Sequence, residues 1–201
     1  MTRDAPPEQD LAGVYVDPAA GEAKLRGLQG GPAETLRELR DDPTEIEIVA
    51  RNMRQTLIDV MGAERGGDFY SLDWLVDRVR WHLAPERTAK VLVVEGPDGR
   101  IVGHAIVRVE VDEEGASFGY FSTIFVEEAS RRRGLATRLM ASVEGWVRGH
   151  QLRRVVYNTA ASNGRLLPLF QRHGYRVTLR EGDMVQLTKD LLATRSPEIP
   201  D

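Results

Sequence analysis

The stretch that decides the fold is VEEASRRRGLAT, residues 126–137, where a strand runs into a basic, glycine-containing turn that opens a helix. The free N–H groups of a helix's first turn, together with the helix dipole, attract anions. Gly134 leaves room for a phosphate near the backbone, and three arginines supply charge that can pair with its oxygens. Arginines oppose the positive end of the dipole, so they favour a bound anion over a merely solvated cluster. The stretch therefore predicts a pyrophosphate cradle.

Other phosphate-binding signatures are missing from this stretch. No Gly-Lys-Ser/Thr follows the glycine, so it is not a P-loop, and no G-x-G-x-x-G occurs, so it is not a dinucleotide fingerprint.

The periodicity on either side of this stretch predicts a mixed sheet flanked by helices. Residues 35–40 suit a first strand or a helix equally well. A helix opens at 41–44 and ends at Gly62, residues 66–68 form a loop, and Ser71 caps a second helix. The predicted later elements are strands 91–95, 102–111 and 117–126, helix 132–150, strand 153–158, helix 163–173, and strands 175–179 and 183–189.

The composition of the chain excludes or disfavours several kinds of site. The 201 residues include no cysteine, which excludes disulfides, thiolate metal sites and a cysteine nucleophile. The four histidines are scattered, so no metal site is expected. A net charge of −4 disfavours a nucleic-acid surface. No apolar run is long enough for a membrane span and the acidic N-terminus does not resemble a signal peptide, so a cytoplasmic location is expected.

The chain divides into three predicted parts. Residues 1–32, rich in proline, glycine and alanine, form a flexible arm or a segment that docks on a partner, residues 33–191 form one domain, and residues 192–201 form a disordered tail. The sequence leaves a homodimer open.

Two motifs resemble one known family. Residues 131–136 are similar to the Arg/Gln-x-x-Gly-x-Gly/Ala signature of the GNAT superfamily of acyl-CoA N-acyltransferases. Residues 163–175 resemble the family's pattern of asparagine, six residues, tyrosine, three residues, glycine and an aromatic residue. The predicted order of elements is also similar, and the resemblance extends from about Glu34 to Leu191.

The resemblance implies an α/β GNAT fold, with a mixed, mostly antiparallel twisted sheet whose central strands splay apart. It also implies acetyl-CoA-dependent N-acetylation of a primary amine by direct attack in a ternary complex. The amine-bearing acceptor, a small molecule or a protein or peptide, is not specified. The residues implied to bind the cofactor are Ile124, Phe125, Val126, Arg131, Arg132, Arg133, Gly134, Leu135, Ala136, Thr137, Asn163, Phe170 and Arg172.

The chain departs from the family at two positions that bear on the catalytic groups. The family often has a tyrosine that protonates the leaving thiolate where this chain has Phe170, which has no proton to give. Histone-type members have a glutamate where this chain has Tyr120. Tyr120 and nearby Ser122 are the candidate catalytic residues, although packing is the simpler role for Tyr120. Other polar groups near strand ends are Glu110, Tyr157, Asn158, Tyr175 and His104, the last expected to be a satisfied surface histidine.

The sequence leaves alternatives for the acceptor-binding site and for the function of the protein. Acidic and aromatic residues of the two N-terminal helices predict either a pocket for a cationic amine or a solvated face. Phe170 and the missing glutamate favour a rival function, a non-catalytic acyl-CoA-binding module. A second rival, an anion or nucleic-acid binder that uses the arginine turn, is opposed by the acidity of the chain.

Overall fold

A computed structural model describes residues 34–191 of the chain. The predicted arm at 1–32 and tail at 192–201 lie outside these residues. None of the described helices has the length and apolarity to cross a membrane.

Seven strands and five helices make up the described domain. The strands are β1 (Thr35–Glu38), β2 (Ala89–Glu95), β3 (Ile101–Val111), β4 (Ser117–Val126), β5 (Arg154–Ala160), β6 (Arg176–Glu181) and β7 (Met184–Asp190). The helices are α1 (Pro43–Met61), α2 (Ala63–Asp68), α3 (Leu72–Leu83), α4 (Leu135–Gly149) and α5 (Leu166–Arg172), and a 3₁₀ turn covers Glu128–Ser130.

The strands form one mixed sheet in the order β1-β2-β3-β4-β5-β7-β6. Neighbouring strands are antiparallel except β4 and β5, which are parallel. The parallel pair is connected through α4, as a parallel connection requires a crossover. The predicted α/β fold with a mostly antiparallel mixed sheet is therefore confirmed.

The parallel pair separates part-way along its length. Only Gly119, Tyr120 and Phe121 of β4 pair with β5, whereas β4 continues to pair with β3 as far as Val126. A register shift against β3 falls at Ser122, which lies between the paired Phe121 and Thr123. Such a bulge bends a strand and increases its twist. The predicted splaying of the central strands is confirmed, and the gap opens from Phe121 towards the end of β4.

Two apolar cores lie on opposite faces of the sheet. The larger core packs α4 and α5 against one face through side chains such as Phe121, Leu139 and Phe170. The smaller core packs α1 and α3 against the other face around Val93 and Ile106. These two helices make an amphipathic layer, and Asp42 and Ser71 cap their N-termini by accepting bonds from backbone N–H groups.

Two local expectations need correction, and one open alternative is decided. Residues 66–68, expected as a loop, belong to α2, where a Cβ on Gly66 would lie 2.4 Å from the carbonyl oxygen of Leu57. The glycine therefore permits close contact between α1 and α2 rather than breaking the chain. Residues 35–38, left open between strand and helix, form a strand at the sheet edge. His104, expected at the surface, is fully buried, because its face of β3 is covered by α1 and α3.

Candidate functional site

The open end of the β4–β5 gap exposes backbone polar groups of β4. The N–H of Glu127 donates to the carbonyl of Val102 on the β3 side, at 2.8 Å. Because backbone direction alternates along a strand, the N–H and C=O groups of Ile124 and Val126 point away from β3, into the gap. This edge of β4 can bind an extended, amide-containing molecule as an added strand would bind.

The turn between the 3₁₀ turn and α4 is built to bind an anion. Arg132 and Gly134 both have a left-handed backbone, with φ of 63° and 78°. Such a turn points successive backbone N–H groups into one concave space. The first helical bond runs from Arg138 N–H to Gly134 O, and no side chain within residues 34–191 caps the helix start. The N–H groups of residues 135–137 therefore remain available to a ligand.

A groove of about 1020 Å³ runs from the gap to this turn. The predicted cofactor residues lining it are Ile124, Phe125, Val126, Arg131, Arg132, Gly134, Leu135, Ala136, Thr137, Asn163 and Arg172. They come from β4, the turn, the start of α4 and the segment around α5, so the fold brings both sequence motifs to one groove. Arg165, which was not predicted, lines it as well.

Arg131 is the arginine most firmly held in the groove. Its Nε donates to the carbonyl of Val126 at 2.9 Å, and its Nη2 lies 3.3 Å from Oδ2 of Asp59 in α1. The same Asp59 oxygen lies 3.3 Å from Nη1 of Arg165. Asp59 therefore spans from α1 to both walls of the groove. Arg133 differs from the expectation, because it is not among the groove residues and instead pairs with Glu34 at 2.8 Å.

Asn163 has a structural task at the groove wall. It is 8% exposed, its Nδ2 donates to Thr159 at 2.9 Å, and its Oδ1 accepts from the N–H of Leu166 at 3.0 Å. The side chain thus ties the end of β5 to the start of α5. This holds the second motif against the gap.

Phe170 lies in the core rather than in the groove. Its ring is fully buried and stacks on Tyr157 with a centroid separation of 4.2 Å. Phe121 and Tyr175 contact its other sides at 5.5 and 4.8 Å. The expected contact of Phe170 with a cofactor is therefore absent, because the aromatic cluster under the gap encloses the ring.

Comparison with known proteins agrees with this geometry. The model of the acetyltransferase (GNAT) family matches residues 53–175. The chain belongs to the GNAT family. A search of curated proteins finds no match to the sequence.

Solved GNAT structures share the fold at low sequence identity. PaiA N-acetyltransferase from Thermoplasma acidophilum, in complex with coenzyme A, has a TM-score of 0.65 and 10% identity, covering 79% of this chain and 99% of its own. YncA, a putative acetyltransferase from Salmonella typhimurium with acetyl-CoA, has a TM-score of 0.60 and 16% identity, covering 84% and 98%. A putative GNAT acetyltransferase from Desulfovibrio desulfuricans has a TM-score of 0.61 and 19% identity, covering 79% and 99%.

The candidate catalytic residues of this GNAT chain lie on the α1/α3 face of the sheet. Tyr120 accepts a bond from Asn158 Nδ2 at 3.3 Å, which links β4 and β5 just before they separate. Ser122, at the bulge, accepts a bond from Nη1 of Arg108 in β3. The Arg108 guanidinium carbon also lies 4.3 Å from the centre of the Tyr120 ring. Arg108 thus touches both candidates, although sequence reasoning did not single it out.

Of the two alternatives for the N-terminal helices, the contacts of the described residues favour the solvated face over a pocket for a cationic amine. The acidic side chains of α1 are engaged by neighbouring arginines, as Glu45 is by Arg37 and Glu47 by Arg51. Tyr70 and Trp74 stack on each other at 3.9 Å, and the Trp74 side is exposed to solvent. Arginines, not carboxylates, face Trp81.

Two histidines of the GNAT domain, His82 and His104, are buried. Burial lowers the pKa of His104 to about 3, and burial together with three nearby arginines lowers the pKa of His82 to about 3 as well. Both imidazoles are therefore neutral at physiological pH. Within residues 34–191, no group of three His, Asp or Glu side chains is arranged to hold a metal ion.

Proposed function

We propose that this protein transfers the acetyl group of acetyl-CoA to a primary amine by direct attack in a ternary complex. Family membership already identifies it as an acetyltransferase that uses acyl-CoA. The observation that carries the proposal is the β4–β5 gap, which opens into the same groove as the anion-binding turn at residues 131–134.

Apart from the carboxylates of Asp59 and Glu128, the residues that line the groove fit acetyl-CoA. N–H groups at the start of α4 would bind the pyrophosphate, and Arg131, Arg132 and Arg172 would supply compensating charge. The gap-facing backbone of Ile124 and Val126 would bind the amides of the pantetheine arm. Two similar structures contain coenzyme A or acetyl-CoA, which supports this assignment.

The chemistry needs no covalent intermediate on the protein. The acceptor arrives as an ammonium ion with a pKa of about 10 and loses one proton before its nitrogen can attack. A C–N bond forms at the thioester carbonyl, the C–S bond breaks, and the sulfur leaves with the electron pair. The sulfur takes up one proton, so the balanced reaction gives an N-acetyl amide, CoA thiol and one released proton. A gap-facing backbone N–H on the Ile124–Val126 strand would polarise the carbonyl oxygen.

Proton transfer falls to groups at the closed end of the gap. Tyr120 and Ser122, which share contact with Arg108, are our candidates to relay the proton from the ammonium to solvent. Phe170 cannot protonate the thiolate, because it lacks a hydroxyl and is fully buried. Water serves this purpose, since a thiolate with an ordinary pKa is a tolerable leaving group near neutral pH.

Calorimetric titration of acetyl-CoA, with ATP as the control ligand, tests the cofactor assignment. Saturable binding of acetyl-CoA with much weaker binding of ATP supports the groove, and equal or absent binding contradicts it. Turnover is then followed with a thiol reagent that detects released CoA. Because the chain has no cysteine, the protein itself contributes no background to this assay. Tight binding without thiol release in the presence of any amine would favour the non-catalytic acyl-CoA module.

A further inference from the structure

Three arginines from separate elements converge on the α1/α3 face of the sheet. Arg78 of α3 and Arg87, shortly after that helix, each place their guanidinium carbon 4.2 Å from the centre of the Trp81 ring. Arg108 of β3 places its own at 5.9 Å from the same ring. We call Arg78, Arg87 and Arg108 the arginine cluster.

The positive charge of the arginine cluster is not balanced. Within residues 34–191, Glu110 is the one carboxylate within ion-pair distance of any member, and it binds Arg108. The side chain of Arg108 is only 14% exposed, and burial together with repulsion from the other two members lowers the pKa of Arg78. His82, buried beside the cluster, is neutral and adds no counter-charge. Arg78 and Arg108 are partly buried and Arg87 is exposed, so a bound anion would relieve a repulsion that is strongest between the two partly buried members.

The arginine cluster lies where the acceptor must meet the thioester. Arg108 is the register partner of Tyr120, and it donates to Ser122 at the bulge. Pairing between β4 and β5 ends at Phe121, one residue from each of these contacts. A pantetheine arm that enters from the turn at 131–134 and follows β4 would end at this point of the gap. Through Arg108, the cluster therefore lies next to the reacting end of the groove, on the side of the sheet opposite α4 and α5.

We infer that the acceptor is a small amine that also carries an anionic group, a carboxylate or a phosphate, and that the arginine cluster binds this anion. The inference rests on the proposed acetyl transfer. Guanidinium groups bind both anions through paired hydrogen bonds, and the Trp81 ring holds two of them in place. The same positive charge disfavours the ammonium form of a nearby amine, so it favours the neutral nucleophile. It also disfavours polyamines, which bring only positive charge.

Matched acceptors test the charge requirement with the full-length protein. L-Phenylalanine, L-tyrosine and L-histidine are compared with phenethylamine, tyramine and histamine, which lack only the carboxylate. Serine, phosphoethanolamine and ethanolamine separate a carboxylate from a phosphate and from no anion. In each set, we expect kcat/KM to be at least tenfold higher for an amine that carries the anionic group than for the amine that lacks it. Preference for the amines without an anion overturns the inference, while acetyl-CoA binding and turnover keep the proposed function intact.

Variants of the cluster test whether its arginines bind the anionic group of the acceptor. Arg78→Gln and Arg87→Gln, whose native side chains contact the Trp81 ring, should raise the KM of the preferred acceptor roughly tenfold to a hundredfold, the loss of one charge-assisted hydrogen bond. The KM of acetyl-CoA should not change. Arg80→Gln is the matched control, because Arg80 lies on the same helix but is exposed and pairs with Asp77. An unchanged acceptor KM in both cluster variants overturns the inference.

Binding without turnover provides an independent measure. The same compounds are titrated into the CoA-saturated protein by calorimetry. Binding of an anionic compound that is lost in Arg87→Gln supports the inference even if no amine turns over. Absence of binding by every anionic compound overturns it, and absence of acetyl-CoA binding removes the proposed function together with the inference.

Discussion

Asp59 of α1 and Arg131 of the turn before α4 are in contact, with Oδ2 3.3 Å from Nη2. The two residues are 72 positions apart in sequence, and the same carboxylate also reaches Arg165. A negative charge therefore lies inside the groove that the proposed function fills with a pyrophosphate. Either the carboxylate keeps the basic side chains in place for the ligand, or it competes with the ligand for them.

Replacement of Asp59 by asparagine distinguishes competition from support. We expect Asp59→Asn to strengthen acetyl-CoA binding up to about fivefold, because exposed ion pairs contribute at most about 1 kcal/mol and the repulsion between carboxylate and pyrophosphate is removed. Calorimetry measures the change. Glu47→Gln, on the same helix and paired with Arg51, is the control. Weaker binding by Asp59→Asn would show that the carboxylate orients Arg131 for the ligand.

Gly134 tests the anion-binding turn. A Cβ at this position meets no atom of the described residues within 4 Å, but the φ of 78° is unfavourable for any other residue by about 1 kcal/mol. Gly134→Ala should therefore weaken acetyl-CoA binding modestly, and Gly134→Glu should abolish it by placing a negative charge among the N–H groups. Gly145→Ala is the control, since Gly145 lies on the same helix with open space around it. Tight binding by Gly134→Glu would refute the pyrophosphate assignment.

The fold was predictable because its signals are local. Residues 117–126 alternate as a half-buried strand, so this element follows from neighbouring residues. The next helix, expected from residue 132, begins at Leu135, because Arg132 and Gly134 have a left-handed backbone. Helix α2 was missed because its two glycines read as a loop, whereas Gly66 is required by a contact with Leu57 that only the folded chain shows. The alternation of β3 correctly turned His104 away from Ala105, but it could not show that two helices cover that face.

Sequence predicted only those parts of the candidate site that are formed by a single short segment of the chain. The turn at residues 131–134 and Asn163 carry their geometry in short motifs, and both line the groove. The arginine cluster was not predicted, because its members come from α3, the following loop and β3. No spacing in the sequence indicates that these three residues lie together in the fold. The sequence could not show that Arg131 and Arg133 differ in role, because both are arginines. The backbone path of the turn determines that Arg131 lies in the groove and that Arg133 pairs with Glu34.

Phe170 tests whether the aromatic core tolerates the tyrosine common in the family. The ring is enclosed by three aromatic neighbours, so Phe170→Tyr buries a hydroxyl that needs a hydrogen-bond partner. We expect the free energy of unfolding to fall by about 1–3 kcal/mol and kcat to stay the same. Urea denaturation measures the loss, with the exposed Phe69→Tyr as control. Unchanged stability together with faster thiol release would show that the hydroxyl reaches the leaving sulfur.

The buried histidines predict loss of stability in mild acid. The folded pKa of His104 and of His82 is about 3, whereas an unfolded histidine has a pKa of about 6.5. Between these values the unfolded chain binds more protons, so stability falls as the pH falls from 6.5, by about 1.4 kcal/mol per pH unit for each imidazole. Above pH 6.5 both states are neutral at these positions, and their contribution does not change.

His104→Phe isolates one of these contributions. The ring nitrogens of His104 have no hydrogen-bond partner in the described part of the chain, so an apolar ring of similar shape leaves no buried group unsatisfied. We expect the variant to be at least as stable as the parent at pH 7 and to lose stability more slowly between pH 6 and 5. Urea midpoints at each pH measure the slope, and His150→Phe, at an exposed position, sets the reference for removal of an imidazole. A slope equal to that of the parent would mean that the unfolded chain gains no proton at His104 that the folded chain lacks.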